Sequence, residues 1–238
     1  MSEKTTDASK EKKVIAIIAG ATALAIAGAA VPIPIADAAM ITFVQASMLL
    51  SISAIYGRVI NRNTVPGLIL AVGAMHVGTT FASFVKGIPG IGTIAGTAAQ
   101  AVIAGTITYA LGLAFNSLCI RGLDFSRENL KESLKDKTIW KKAMKEAMKI
   151  IQLKKAVNFH VEPPKAVDHV RFHMNLRGRG AAQLKVVYED NSEISSQEVA
   201  EDTSELRFDV SNLKVGKYLA TLQFGEKEFA AVHFRKMA

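Results

Sequence analysis

The feature that most limits the fold of this sequence is a long stretch with almost no charge. Between Val14 and Ile120 the only Asp, Glu, Lys or Arg residues are Asp37, Arg58, Arg62 and Lys86. They leave uncharged segments at 14–36, 38–57, 63–85 and 87–120. A helix needs about 20 apolar residues to cross a bilayer. We therefore predict one membrane-spanning helix in each of the four segments.

The first segment also has some features of a secretory signal. Residues 10–30 have a basic start, an apolar stretch and small residues after it. Cleavage there would leave a mature chain that begins with another long, nearly uncharged region. We therefore interpret this segment as a first membrane helix and not as a removable signal.

Basic residues accumulate on alternate connections between the predicted helices. They precede the first helix, follow the second and follow the fourth, at Lys4, Lys10, Lys12, Lys13, Arg58, Arg62 and Arg121. Connections rich in Lys and Arg tend to stay in the cytoplasm. This distribution predicts two helical hairpins with both chain termini in the cytoplasm.

An internal duplication relates the two predicted hairpins. A shift of 55 residues aligns Pro34 with Pro89, Gln45 with Gln100 and Gly57 with Gly112. Each repeat is then expected to consist of a helix, a proline-containing turn and a second helix that ends at the glycine.

The turns of the two hairpins carry residues that stop and start helices. Proline lacks a backbone N–H and disfavours helix in the residue before it. Asp and Thr accept hydrogen bonds from N–H groups in the first turn of a helix. The predicted turn and cap residues are Pro32, Pro34, Asp37, Pro89, Gly90, Gly92 and Thr93.

Among the polar side chains inside the predicted membrane helices, Gln45, Gln100 and His76 are candidates for a specific role. Amide groups in such positions often form hydrogen bonds between helices. The same residues could instead line a pore or a transport path. Asp37 has the same pair of interpretations, as a helix cap or as an ion-handling group.

The segments "PIPIADAAMITFVQASMLLSISAIYG" and "KGIPGIGTIAGTAAQAVIAGTITYALG" carry a resemblance to a known family. Residues 15–122 resemble a bacterial hydrophobic domain of unknown function that occurs after Era-like GTPase domains and in YcjF-like inner-membrane proteins. The residues that carry it are Pro32, Pro34, Asp37, Gln45, Tyr56, Gly57, Pro89, Gly90, Gly92, Gly96, Tyr109 and Gly112. The resemblance implies membrane association and a working relationship with a GTPase. Too few residues precede the first helix for a nucleotide-binding domain, so such a GTPase would be a separate chain.

Residues 123–155 are helix-forming and rich in lysine. Apolar residues at three- and four-residue intervals predict an amphipathic helix, with its cations off the apolar stripe. Next to a membrane region, such a helix can lie on anionic lipid with an interfacial Trp. The residues predicted for this surface are Trp140, Lys141, Lys142, Lys145 and Lys149. Alternatively, the stripe packs on the C-terminal domain or on a second subunit.

From residue 156 onwards the apolar residues alternate, and turn residues separate the short segments. This pattern predicts a small antiparallel β-sandwich. The last hairpin is also similar to those of Ig-like modules and of type IX secretion sorting domains.

The sequence thus predicts an α plus β protein with two domains. We expect a polar tail at 1–13, a duplicated four-helix membrane domain at 14–122, a basic helical linker at 123–155 and a β-sandwich at 156–238. We expect no enzymatic activity, no metal, no cofactor and no nucleic acid partner, because no motif for any of them is evident.

The expected function is that of an anchor or oligomeric scaffold in the bacterial inner membrane. Small residues in the predicted spans favour self-association, so a homo-oligomer is expected. The expected partners are the lipid bilayer and a recruited protein, which could be a GTPase in trans. The alternatives are a pore or transporter and a soluble helical interaction module.

Overall fold

The computed structural model describes residues 2–29, 36–76, 97–189, 192–224 and 228–238, and contains a helical part followed by a sheet region. The helices are α1 (Ser2–Ala29), α2 (Ala36–Ile55), α3 (Val65–His76), α4 (Thr97–Ile120), α5 (Arg127–Leu134) and α6 (Lys137–Ala156). The turn residues predicted at Pro32, Pro34, Pro89, Gly90, Gly92 and Thr93 lie outside the described residues. The predicted four-helix duplication therefore stays a prediction.

Glycines in the left-handed region end α2 and α4. Gly57 has a φ of 64° and Gly122 a φ of 66°. After α2, the Arg58 N–H donates to the Ser53 carbonyl at 2.9 Å, and after α4 the Leu123 N–H donates to the Leu118 carbonyl at 3.0 Å. These bonds satisfy carbonyls that have no partner inside the helix.

The prediction that Gly112 ends a helix is wrong. Gly112 lies well inside α4, which continues to Ile120. Its missing side chain serves packing instead, because a Cβ at this position would lie 2.7 Å from Cγ1 of Ile18 in α1. Gly105, two turns earlier in α4, has the same role, because a Cβ there would lie 2.6 Å from Cγ1 of Ile26 in α1.

These contacts fix the directions of the three longest apolar helices. Ile18 meets Gly112 and Ile26 meets Gly105, so α1 and α4 are antiparallel. Gln45 of α2 bonds to Thr108 of α4, and the end of α2 contacts the end of α4, so these two helices are parallel. The start of α1 therefore lies at the same end of the bundle as the ends of α2 and α4.

The lysine-rich segment forms two helices where the sequence predicted one. The Ser126 hydroxyl accepts from the Asn129 N–H at the start of α5, and the Asp136 carboxylate accepts from the Thr138 N–H at the start of α6. Because a cap residue adopts a non-helical conformation, the chain turns between Leu134 and Lys137.

The C-terminal part contains eight described strands in two sheets. They are β1 (His160–Glu162), β2 (Lys165–Ala166), β3 (His169–His173), β4 (Ala182–Tyr188), β5 (Glu193–Val199), β6 (Glu205–Asp209), β7 (Gly216–Phe224) and β8 (Glu228–Lys236). The smaller sheet has the order β1-β3-β6 and the larger one the order β2-β8-β7-β4-β5. All neighbours are antiparallel except β2 and β8.

The two sheets share one apolar core. Phe172 of the smaller sheet and Phe234 of the larger one meet edge to face, with ring centroids 5.7 Å apart. Val170 and Leu222 are completely buried in the same cluster. The apolar residues that alternate along the strands, such as Val170 and Phe172, therefore belong to the core that both sheets contribute to.

The other face of the larger sheet packs against the helices. Val187, Leu219, Phe229 and Ala231 belong to the core that also contains α1, α2, α4 and α6. The Phe229 ring lies 3.7 Å from the position of a Cβ on Gly20, in the middle of α1. The sheet is consequently buried on both faces along β7 and β8, and the helical and sheet parts share a core.

Replacement of Gly112 by Ala tests the close approach of α1 and α4. We expect the free energy of unfolding to fall by about 1–2 kcal/mol, since overpacking a core costs about 1–3 kcal/mol and the better helix propensity of Ala returns at most about 1 kcal/mol. The measurement is denaturant unfolding followed by circular dichroism.

Gly20→Ala provides the matched control, because its Cβ would meet Phe229 at an ordinary contact distance of 3.7 Å. This variant should be as stable as the wild type or slightly more stable. In a protein that already carries Ile18→Ala, the Gly112→Ala change should lower the free energy of unfolding by less than it does in the wild type. Equal stability of the Gly112→Ala and Gly20→Ala variants would contradict the close contact between Gly112 and Ile18.

Candidate functional site

The basic end of the helical bundle is organised by Arg58. Its guanidinium donates to the carbonyl of Leu118 at 3.0 Å and to that of Leu123 at 2.6 Å. It also lies over the Phe125 ring, 4.2 Å from the centroid. Phe125 in turn stacks on Phe115 of α4, with ring centroids 4.6 Å apart. One arginine thus joins the end of α2 to the end of α4.

A second polar contact supports this junction. The Tyr56 hydroxyl donates to the Asn116 side-chain carbonyl at 2.8 Å. The sequence indicated Arg58 only as a basic residue of a cytoplasmic connection, and it did not indicate Asn116 or the contacts at this junction. The available signal was the position of Arg58, which is one of four charged residues in the whole apolar region and follows a helix-ending glycine.

Three groups of basic residues come together at this end. The exposed Lys12 and Lys13 lie near the start of α1, and the exposed Arg62 and Arg121 follow α2 and α4. This grouping follows from the helix directions described above. The prediction of two hairpins is not tested by this grouping, because the second predicted turn lies outside the described residues.

Gln45 lies at the interface of α2 and α4. Its amide donates to the Thr108 hydroxyl at 2.9 Å, and both residues are buried. Gln100, its predicted counterpart in the other repeat, is exposed. His76 is the last residue of α3, and Asp37 is the second residue of α2. Gln45 and Gln100 thus have different environments, one buried between helices and the other exposed.

The lysine-bearing helix α6 packs along α4. A Cβ placed on Gly105 of α4 would lie 3.2 Å from the Cβ of Ala147 in α6. Trp140 is only 8% exposed, and its indole N–H donates to the Leu134 carbonyl at 2.7 Å. The predicted lysines Lys141, Lys142, Lys145 and Lys149 are all exposed. The prediction of a membrane surface on α6 therefore rests on its lysines, because the indole is part of the core.

Two described helices are long and apolar enough to cross a membrane. They are Ser9–Ala29 in α1 and Gln100–Ile120 in α4, and a shorter apolar helix covers Ile41–Ile55. In the apolar window of each candidate, 61% of the residues are buried within the protein for the first and 67% for the second. The core helix of a globular protein can have the same length and composition.

A cavity of about 340 Å³ lies between α1, α2 and the larger sheet. Its wall is mostly apolar, with Ile17, Leu24, Met48 and Phe229 among the lining residues. Lys185 at its edge forms an ion pair with Glu193 at 2.5 Å. The cavity marks the place where the sheet meets α1 and α2 less closely.

The histidines of the sheets do not form a metal centre. His160 and His173 stack across β1 and β3 with ring centroids 4.8 Å apart, and Glu162 lies 3.7 Å and 3.8 Å from their Nε2 atoms. Among the described residues, no group of three His, Cys, Asp or Glu side chains is arranged to hold a metal ion.

Replacement of Gln45 by Leu tests the role of its amide. We expect the free energy of unfolding to fall by about 1 kcal/mol, because the interhelical hydrogen bond is lost and the buried Thr108 hydroxyl loses its partner. Gln100→Leu is the matched control and should change stability much less, since Gln100 is exposed. Equal effects of the two changes would show that the bond contributes nothing measurable.

Comparison with known proteins places this helical part in a family. The DUF697 family, described as a domain of unknown function, matches residues 2–145. Magnetosome membrane protein 22 of Magnetospirillum gryphiswaldense is 34% identical over 96 residues, which are 38% of this chain and 49% of that protein. The chain therefore spans about half the length of this curated relative. No solved structure matches it significantly. The family match covers more than half of the sequence and confirms the resemblance predicted from its proline, glycine and glutamine positions, so the chain belongs to the DUF697 family.

Proposed function

We propose that this protein is membrane-associated and acts as an anchor or oligomeric scaffold, which holds its C-terminal sheets beside a bacterial inner membrane for a protein partner. The observation that carries the proposal is the antiparallel packing of two uncharged apolar stretches, residues 14–29 of α1 and 100–120 of α4, with basic residues gathered at one end of the bundle.

The dimensions of the two helices fit a bilayer. The candidate spans Ser9–Ala29 and Gln100–Ile120 contain 21 residues each. At about 1.5 Å per residue they are about 30 Å long, which is the thickness of the hydrocarbon core. The membrane assignment in the name of the magnetosome relative supports the same role.

The charge distribution supports one orientation of the helices. Lys12, Lys13, Arg62 and Arg121 lie at the same end of the bundle, and such residues favour the cytoplasmic side. We therefore place the start of α1 and the ends of α2 and α4 at the cytoplasmic face. The orientation of both termini towards the cytoplasm is part of this proposal.

The compact arrangement sets a condition for insertion. The larger sheet lies against the middle of α1, and α6 with its exposed lysines lies against α4. Charged strands and helices are excluded from the hydrocarbon core. The proposal therefore includes two arrangements, the compact one and an inserted one in which the sheet and α6 have left the two spans.

The scaffold role uses protein contacts and requires no catalysis. The family resemblance suggests a GTPase on a separate chain as the recruited partner, and small residues on the spans support self-association. A pore is less well supported, because the buried Gln45 amide and the Thr108 hydroxyl bond to each other. Their bond supports a role of Gln45 in helix packing.

Cell fractionation of the full-length protein tests the membrane association. We expect the chain to sediment with membranes and to stay in the pellet after an alkaline carbonate wash, because inserted helices resist this treatment and surface-bound proteins do not. A peripheral membrane protein of the same cells, released by the wash, serves as the control.

Release by carbonate without aggregation would show that the bundle is bound at the surface and that α1 and α4 do not span. Recovery of the protein in the soluble fraction before the wash would contradict membrane association altogether.

The scaffold part of the proposal predicts an oligomer in mild detergent. Small residues allow helices of different copies to approach closely, as Gly112 and Gly105 do within one copy. The mass of the detergent-solubilised protein, measured by light scattering with correction for detergent, should exceed that of one chain. A strictly monomeric species would remove oligomerisation from the proposed function.

A further inference from the structure

We propose that the basic end of the bundle is a docking surface for anionic phospholipid headgroups, with two aliphatic side chains that enter the interface between them. The surface consists of Val59, Arg62, Ile120 and Arg121, which we call the end-face patch. Its role rests on the proposed function, since a protein without membrane association would have no lipid to meet there.

The loop after α2 presents the first aliphatic residue of the patch. Val59 is 95% exposed, whereas its neighbour Ile60 is 7% exposed and belongs to the helical core. Ile60 thus holds the loop on the bundle while the Val59 side chain projects into solvent. Arg62 follows on the same loop and is exposed as well.

The end of α4 presents the second aliphatic residue. Ile120 is 62% exposed, and the exposed Arg121 follows it. Arg58 donates to carbonyls on both sides of this pair, those of Leu118 and Leu123. Because Arg58 directly precedes Val59, the two aliphatic side chains are held at the same end of the bundle.

The charges around the patch favour a polyanionic surface as its occupant. Lys12 and Lys13 add exposed cations near the start of α1, where Glu11 is exposed as well. Asp124, the nearest acidic residue along the chain from Arg121, accepts a hydrogen bond from the Asn129 amide and keeps its negative charge. The two arginines of the patch and these two lysines outnumber the two carboxylates. Single exposed aliphatic residues are common, but a pair bordered by arginines and lysines matches a membrane interface, where apolar groups enter and cations meet anionic lipid.

Vesicle flotation tests the patch in the full-length chain. The protein is synthesised in a cell-free system in the presence of vesicles of phosphatidylcholine alone or with about 30% phosphatidylglycerol, a content that gives a strongly anionic surface. We expect more of the wild type to float with the anionic vesicles than with the neutral ones, since insertion of α1 and α4 gives some flotation with either kind. The Arg62→Glu/Arg121→Glu variant should reduce this excess on anionic vesicles by about tenfold, because two attractive charges become repulsive. Val59→Asp/Ile120→Asp should reduce it to a similar extent.

Matched control variants change the same residue types on the sheets. Arg177→Glu/Lys214→Glu reverses two exposed charges, and Val167→Asp/Val215→Asp replaces two aliphatic residues that are 51% and 56% exposed. Both controls should float as the wild type does. Circular dichroism of the recovered proteins should show that the patch and control variants have the same helix content.

The outcomes separate this surface from the function on which it rests. Failure of the wild type to float with either kind of vesicle would contradict membrane association itself. Flotation of the wild type together with unchanged flotation of both patch variants would overturn the docking surface and leave the membrane role intact. Equal flotation of the wild type with neutral and anionic vesicles would also overturn it, since a cationic patch requires anionic lipid.

Discussion

The whole arrangement depends on how closely α1 can approach its neighbours. This helix contacts α2, α4, α6 and the larger sheet, and small residues cover much of its surface, including Ala19 and Ala23. Where α1 has a larger side chain, as at Ile18 and Ile26, α4 provides a glycine opposite. Dispersion contacts are favourable only at short range. Small residues let the helices approach closely and gain these contacts without large side chains. The same surfaces are the ones that favour helix association in lipid, and this explains why the helices suit either environment.

Three polar side chains within the described part of this apolar region are paired inside the protein, whereas the buried Thr106 hydroxyl has no partner. The guanidinium of Arg58 satisfies carbonyls at the end of α4, and Gln45 and Thr108 satisfy each other between two helices. An unpaired buried polar group costs free energy in a protein core and still more in a bilayer. The helical bundle could therefore exchange its surroundings without exposing these groups. Among the described residues of the helical part, exposed charge lies at the ends of the long apolar helices and on α5 and α6. The ends of α2 and α4 and the start of α1 give the bundle one basic end.

The sequence predicted α2 and the apolar parts of α1 and α4 because their signals are local, and Gly57 marks the end of α2. The start of α1 is different from the expectation, because the segment expected as a polar tail at 1–13 is helical from Ser2 onwards. Lys and Glu are good helix formers, so a helix can continue through them. The end of α4 was placed wrongly at Gly112, because a glycine that permits close packing and a glycine that ends a helix look alike without the partner Ile18. The break before α6 was missed since Asp136 resembles any other charge in a lysine-rich segment. Sheet formation was expected from alternation, but the apolar runs in β7 and β8 also carried a sign of burial on both faces. Which element covers the second face depends on contacts over two hundred residues of sequence, and no local pattern could identify α1.

The second face of the larger sheet has a consequence for regulation. Val187, Leu219, Phe229 and Ala231 are covered by the helical part, and α1 supplies much of that cover. In the inserted arrangement proposed above, in which α1 lies in lipid, this apolar face would be open to another protein. A protein that bound the face would then compete with α1, and thermodynamic linkage would make the effect reciprocal. Occupation of the sheet would favour insertion of the helix, and insertion would strengthen binding to the sheet by the same factor.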